Sequence, residues 1–107
     1  MAKQVVFLVV TDQDGNAEKD AACAHAGPLS GRVKSIEYIT DNRLPFEPTV
    51  SFKFSGATSG VEVFSVANVA ARATWPLDGP VLESEPIKVV VTDGGKGRAG
   101  TFVVTCA

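Results

Sequence analysis

The alternation of apolar and polar residues along the chain is that of short strands. Thr49 to Ser55 alternates strictly, with Val50, Phe52 and Phe54 on one face and Thr49, Ser51, Lys53 and Ser55 on the other. A period of two over this length predicts a half-buried strand. Val61 to Val66 follows across the turn Gly56-Ala57-Thr58-Ser59-Gly60 and is expected as its hairpin partner. Val69 to Trp75 alternates again, with Val69, Ala71, Ala73 and Trp75 in phase, and Pro76 is expected to end it. In Arg32 to Thr40, Ile36 and Tyr38 share a face while Val33 is out of phase, so a bulge is expected near Ser35.

Gln4 to Val10 is apolar at nearly every position. Val5, Phe7 and Val9 point one way; Val6, Leu8 and Val10 point the other. A strand apolar on both faces is either central or has its second face covered by another subunit. Thr11 to Asn16 is a turn, and its Asp14-Gly15 dipeptide favours a hairpin. Ala17 to Ala26 is rich in helix formers but carries no helical apolar stripe, so it reads as the return strand. Asp41 to Pro48 is a loop fixed by Pro45 and Pro48. Leu77 to Pro86, with Asp78, Glu83 and Glu85, reads as an exposed loop whose acids are solvated. At the end of the chain, Ile87 to Val91 and Thr101 to Cys106 flank the glycine-rich Gly94 to Gly100, which predicts a terminal hairpin with a basic tip at Lys96 and Arg98.

These elements, with no long amphipathic helix, predict an all-β fold: a seven- to eight-stranded β-sandwich or jelly roll, as a single domain over residues 1–107. A chain of 107 residues buries a usable core without metals or disulfides. The net charge of -2, with acids and bases mixed, excludes the basic field that sequence-independent nucleic-acid binding needs and a polybasic membrane patch. The apolar run Val5 to Val10 is too short for a signal-peptide core or a membrane span, so a cytoplasmic origin is expected. In that compartment Cys23 and Cys106 are expected as reduced thiols; a bridge between them requires adjacent strands.

The chain carries motifs that resemble chemistry without completing it. Gly95-Lys96-Gly97-Arg98-Ala99-Gly100 matches the dinucleotide fingerprint G-x-G-x-x-G, yet a strand and then the chain end follow, where a phosphate-binding helix would be required. Lys96 precedes Gly97 and not Ser or Thr, so the phosphate-cradling P-loop fails too. Asp12, Asp14 and Asn16 suggest calcium, but an EF-hand would need glutamate where Cys23 stands. His25, the single histidine, has no acid or second histidine beside it in sequence, and two distant cysteines with one histidine make no zinc set. No catalytic, cofactor-binding or metal residues are therefore assigned, and the protein reads as a non-enzyme.

Taken in order, several pieces resemble a family of small structural virion proteins of tailed bacteriophages and prophages. The pieces are Asp14-Gly15-Asn16, Gly31-Arg32-Val33 leading to Ile36-Glu37-Tyr38, Val50-Ser51-Phe52, Ser59-Gly60 and Asn68-Val69-Ala70-Ala71. Trp75-Pro76, Ile87-Lys88-Val89-Val90-Val91, Gly94-Gly95 and Gly100-Thr101-Phe102 complete them. The resemblance implies a multi-copy or homo-oligomeric particle component, assembled in the host cytoplasm and located in the virion. Its first expectation is a capsid decoration or cement protein bound to the major capsid protein or other virion proteins. A neck or tail ring or head–tail joining protein is the alternative, and a receptor- or carbohydrate-binding β-sandwich module is the alternative of another class. On this reading the candidate partner contacts are Val6, Leu8 and Val10 on the two-faced strand, Arg43 and Phe46 in the proline-fixed loop, and Lys96 and Arg98 at the basic tip. The first of these could also add an edge strand to a neighbour.

Overall fold

The computed structural model describes residues 3–20, 29–69 and 72–106. Its strands are β1 (Lys3–Val10), β2 (Ala17–Asp20), β3 (Leu29–Thr40), β4 (Ser51–Gly56), β5 (Glu62–Val66), β6 (Ala73–Pro76), β7 (Val81–Glu85), β8 (Ile87–Thr92) and β9 (Ala99–Cys106). They form two antiparallel sheets packed as a β-sandwich. One has the order β1-β9-β3-β6, with β7 also paired to β3; the other has the order β2-β8-β4-β5.

The pairings nest around the β4–β5 turn. β4 pairs β5, β3 pairs β6 and β7, β2 pairs β8, and β1 pairs β9. The chain is thus a long antiparallel ribbon, rolled so that successive pairs fall in alternate sheets and β9 meets β3 while β8 meets β4. That is the jelly-roll arrangement, and β7 is a short addition to its eight strands.

The core lies between the sheets. Val5, Phe7 and Val9 of β1, Val33, Ile36 and Tyr38 of β3, and Phe102, Val104 and Cys106 of β9 face Phe52 and Phe54 of β4 and Ile87, Val89 and Val91 of β8. Phe102 and Phe52 meet edge to face at 4.8 Å, and Tyr38 meets Phe52 at 4.9 Å, a geometry that places ring edges on ring faces. The expected bulge is present. The register of β3 on β9 shifts between Val33 and Ser35, which brings Val33 into the core with Ile36 and Tyr38.

Three expectations are corrected. The turn after β1 and the glycine-rich segment before β9 are not hairpins: each leaves one sheet and enters the other. They cross side by side, with the Gly94 N–H donating to the Gly15 carbonyl at 2.9 Å and the Gly97 N–H to the Asp12 carbonyl at 3.3 Å. Local turn chemistry looks the same in a hairpin and in an arch between sheets, so sequence alone does not separate them. Residues 77–86 are not all loop, because Val81–Glu85 forms β7 and buries Leu82. Its acids hid the strand, and Glu85, expected in solvent, is 7% exposed. Of the alternation Val69 to Trp75, the described strand is the short β6, which includes Pro76; residues 70–71 lie outside the described residues. In the expected return strand only Ala17–Asp20 is described; residues 21–26 lie outside the described residues, as do Cys23 and His25.

Candidate interaction surface

β1 is an edge strand and not a central one. Its register on β9 places Val5, Phe7 and Val9 inward, while Val6, Leu8 and Val10 stand on the outer face, 63%, 49% and 57% exposed. Of the two explanations for a two-faced apolar strand, the central position is excluded, and the second face is open in the single chain.

The outer face continues across the sheet. Val6 lies beside Val103, Leu8 beside Thr101 and Val10 beside Ala99 on β9. Thr101 lies beside Ile39, and Val103 beside Glu37, on β3. Around this aliphatic centre the polar groups are satisfied among themselves. Arg72 donates to Glu37 at 2.7 Å, and the Gln4 amide donates to the Thr105 hydroxyl at 3.3 Å. An apolar centre with a polar rim is the anatomy of a protein–protein contact surface.

The edge of β1 is open as well. The Thr11 N–H donates to the Arg98 carbonyl at 2.8 Å. Antiparallel pairing alternates bonded and non-bonded residues, so Val5, Phe7 and Val9 exchange bonds with β9 while Gln4, Val6, Leu8 and Val10 turn their N–H and C=O groups outward. The Leu8 carbonyl agrees with this assignment, since it accepts from the Lys19 Nζ at 2.7 Å across the sandwich edge.

The other sheet edges are blunted by familiar devices. The described part of β2, Ala17–Asp20, carries Glu18, Lys19 and Asp20. β5 is bulged, Phe64 and Glu62 pairing successive residues of β4 and leaving Val63 between them. β6 and β7, four and five residues long, divide the remaining edge. β1 spans eight residues, and from Gln4 to Val10 it carries no charge.

The remaining candidates fall into two groups. Arg43 is exposed in the loop before β4, whose shape is set by the Asp41 carboxylate accepting the N–H groups of Leu44 and Arg43 at 2.7 and 3.0 Å. Those bonds, the Leu44 one first, hold the Asp41 carboxyl below its ordinary range. Lys96 is exposed and Arg98 half-buried. Ala99 joins these segments: it pairs with Val10 on one side and bridges Pro45 on the other, and its N–H donates to the Leu44 carbonyl at 2.7 Å. Val10, the Arg43 loop and the Arg98 turn therefore gather at one end of the open sheet.

Phe46 does not belong to that surface. It is 5% exposed and packs on Tyr38, Phe52 and Phe102, with ring centroids 5.8, 5.8 and 6.5 Å away. The loop exposes Arg43 and Leu44 and then turns Phe46 into the open end of the sandwich. Exposed Leu44, and Val103 and Ile39 beside the β1 ladder, were not singled out from the sequence. Only the pairing of β9 with β1 and β3 makes them neighbours of Val6 and Leu8.

Elsewhere the surface offers little chemistry. A shallow depression of about 400 Å³ on the outer face of the second sheet is lined by Ser51, Lys53, Ser65, Val90 and Thr92 among others. Among the described residues no three His, Cys, Asp or Glu side chains converge to hold a metal. Among the described residues no helix is long and apolar enough to cross a membrane.

No family model matches the chain, and no curated protein matches it. Among solved structures it is similar to FlhE, at 15% identity over 99% of this chain and 96% of that one, with a TM-score of 0.57. A carbohydrate-binding module from Cellvibrio mixtus lichenase 5A, solved with cellotriose, aligns at 12% identity over 96% of this chain and 98% of that one, with a TM-score of 0.48. At this identity the FlhE match speaks to the fold alone.

Proposed function

We propose that this chain is a non-enzymatic structural protein of a tailed-phage particle. On this reading it decorates the capsid in many copies and docks on the major capsid protein through the open face of β1, β9 and β3. The observation that carries the reading is the exposed ladder Val6, Leu8 and Val10 on an edge strand. Its ordered resemblance to small virion proteins, described above, supplies the setting; neither solved structure is given as a phage protein.

Magnitudes favour a multi-copy role. Covering the exposed parts of the three aliphatic chains contributes about 2–4 kcal/mol. Association costs about 4 kcal/mol or more in lost freedom. One copy bound by this ladder alone is weakly held, whereas copies linked to one another or to adjacent capsid subunits gain from effective concentration.

The sugar-binding alternative finds no platform. All six Phe and the single Tyr and Trp are described, and none is exposed. Trp75 is half-buried against Phe64 at 5.3 Å.

The test is co-sedimentation of the purified chain with particles lacking it. Saturable binding in proportion to capsid subunits is the expected result. Binding of a few copies at one vertex would move the protein to the neck or tail, and no binding to any particle would overturn the virion reading.

A further inference from the structure

We infer that the open edge of β1 pairs with β1 of a second copy, antiparallel about a two-fold axis, so that the two sheets become one. The inference names a partner for the surface described above. Its second consequence, that pairing doubles the docking face, rests on the proposed function.

Four observations converge on a second copy as the occupant. β1 is eight residues long, and among the described residues the other sheet edges are short, charged or bulged, which leaves β1 as the edge able to pair. The outward backbone groups belong to Gln4, Val6, Leu8 and Val10, an unbroken ladder of donors and acceptors apart from the Leu8 carbonyl. The segment is also compatible with itself. In a two-fold pair every residue meets one from its own segment, so a charge there would face an apolar residue or, on the axis, its own copy; Gln4 to Val10 has none. Centring the pair on Phe7 sets Val6 opposite Leu8 of the second copy and Gln4 opposite Val10 of the second copy, all among bond-forming residues.

The fourth observation concerns charge at the seam. Lys19 must leave the Leu8 carbonyl for that carbonyl to accept from the second copy. The same two-fold brings β2 toward its own copy, and since Glu18 is paired with Lys88 at 2.6 Å, Asp20 of the opposite chain is the carboxylate offered to each released ammonium. Lys19 thus guards the edge in the single chain and is satisfied across the seam in the pair. The joined sheet presents two Val6-Leu8-Val10 ladders side by side on one face, a larger apolar patch than either chain offers alone.

The experiment is sedimentation velocity of the full chain over a concentration series, with amide hydrogen exchange at both ends of the series. The expected result is a monomer–dimer equilibrium in which the amides of Val6, Leu8 and Val10 exchange about tenfold or more slowly at the dimer end, while those of loop residues Asn42 and Lys96 do not change. Val6→Pro removes an outward N–H that makes no bond to β9 and should dissociate the pair. Retained protection at Phe7 and Phe102 shows that the variant is folded. If it does not fold, the wild-type exchange pattern decides. A chain that stays monomeric throughout, or a dimer whose Val6, Leu8 and Val10 amides remain fast, overturns the inference. A monomer that still saturates capsid shells would sink edge pairing and leave the docking reading standing; a protected dimer that binds no shell would do the reverse.

Discussion

Thr11 and Arg98 are tied twice: the Thr11 N–H donates to the Arg98 carbonyl, and the Arg98 N–H donates to the Thr11 hydroxyl, each at 2.8 Å. The same hydroxyl donates to the Gly95 carbonyl at 2.5 Å. Thr11 is 5% exposed, so these bonds are made away from water, at the point where the two arches between the sheets cross.

Thr11→Val keeps the shape of the side chain and removes its oxygen. The Arg98 N–H and the Gly95 carbonyl then lose a partner in a buried site, which costs about 1–3 kcal/mol. Chemical denaturation should show that loss for Thr11→Val, and Thr11→Ser should recover most of it. A loss in Thr11→Ser with none in Thr11→Val would place the effect in the methyl group and not in the bonds.

Glu85 is a buried carboxylate that organises the β4–β5 turn. One of its oxygens accepts the N–H groups of Ser59 and Thr58 at 2.9 and 3.0 Å and the Ser59 hydroxyl at 3.2 Å. The Ser59 N–H is the largest influence and holds the carboxyl below its ordinary range, against the opposing effect of burial. A depressed folded-state pKa means stability that is present above the unfolded value, about 4.3, and lost as pH falls through the folded value. Glu85→Gln should therefore cost about 1–3 kcal/mol at neutral pH, with the gap to the wild type closing in acid. Glu83→Gln, at an exposed site of the same strand, should show no such gap. A Glu85→Gln deficit that did not vary with pH would remove the charge from the explanation.

Tyr38 gives a signal at the opposite end of the pH scale. Burial raises its phenol above the ordinary value, and a backbone hydrogen bond at Phe46 opposes the shift. It is the chain's single tyrosine, so tyrosinate absorbance reads it without ambiguity. For a raised pKa the associated stability is complete below the unfolded value, about 10, and is lost as pH rises through the folded value. Titration of the native chain should lag that of the denatured chain, and alkaline unfolding should accompany it. Coincident titrations would mean that the phenol is solvated.

How much was legible follows from which signals are local. Period-two alternation located β4, the turn after it located β5 as its hairpin partner, and the phase break at Val33 located the bulge in β3, because each is written in adjacent residues. The arches were not legible. Gly95 has φ +86° and lies 2.7 Å from the Glu47 side chain at the place a Cβ would occupy, so its glycine serves a close approach between distant loops. Its neighbours suggested a hairpin tip. β7 was hidden because Glu85 finds its partners 26 and 27 residues away in sequence. The open ladder of β1 was visible as a two-faced strand, but its edge position depends on its pairing with β9, far along the chain.

Phe46 and Arg43 separate core from surface within one loop. Phe46→Ala removes a ring from among Tyr38, Phe52 and Phe102 and should cost about 3–5 kcal/mol. Arg43→Ala, three residues earlier and exposed, should change stability by no more than about 0.5 kcal/mol. Thermal denaturation of the two variants checks the contrast. A small loss at Phe46 would mean that the ring can leave the core and reach a partner after all.

Leu8→Glu tests the face without testing the core. The Leu8 side chain stands on the outer face, half exposed, so the substitution should leave stability within about 0.5 kcal/mol of wild type. Once a partner covers the ladder, the same carboxylate is buried without a cation aimed at it from this sheet. Lys19 reaches the strand only at its edge, where it donates to the Leu8 backbone carbonyl. An unpaired charge in a covered interface costs more than the leucine contributed, so binding should weaken by at least about 2 kcal/mol per site, roughly 30-fold. Because many copies act together, the fall in particle occupancy should be steeper than the single-site figure. Lys53→Ala, on the outer face of the opposite sheet, should leave occupancy unchanged. A folded Leu8→Glu chain that still saturates the particle would show that the partner lies on another face of the sandwich.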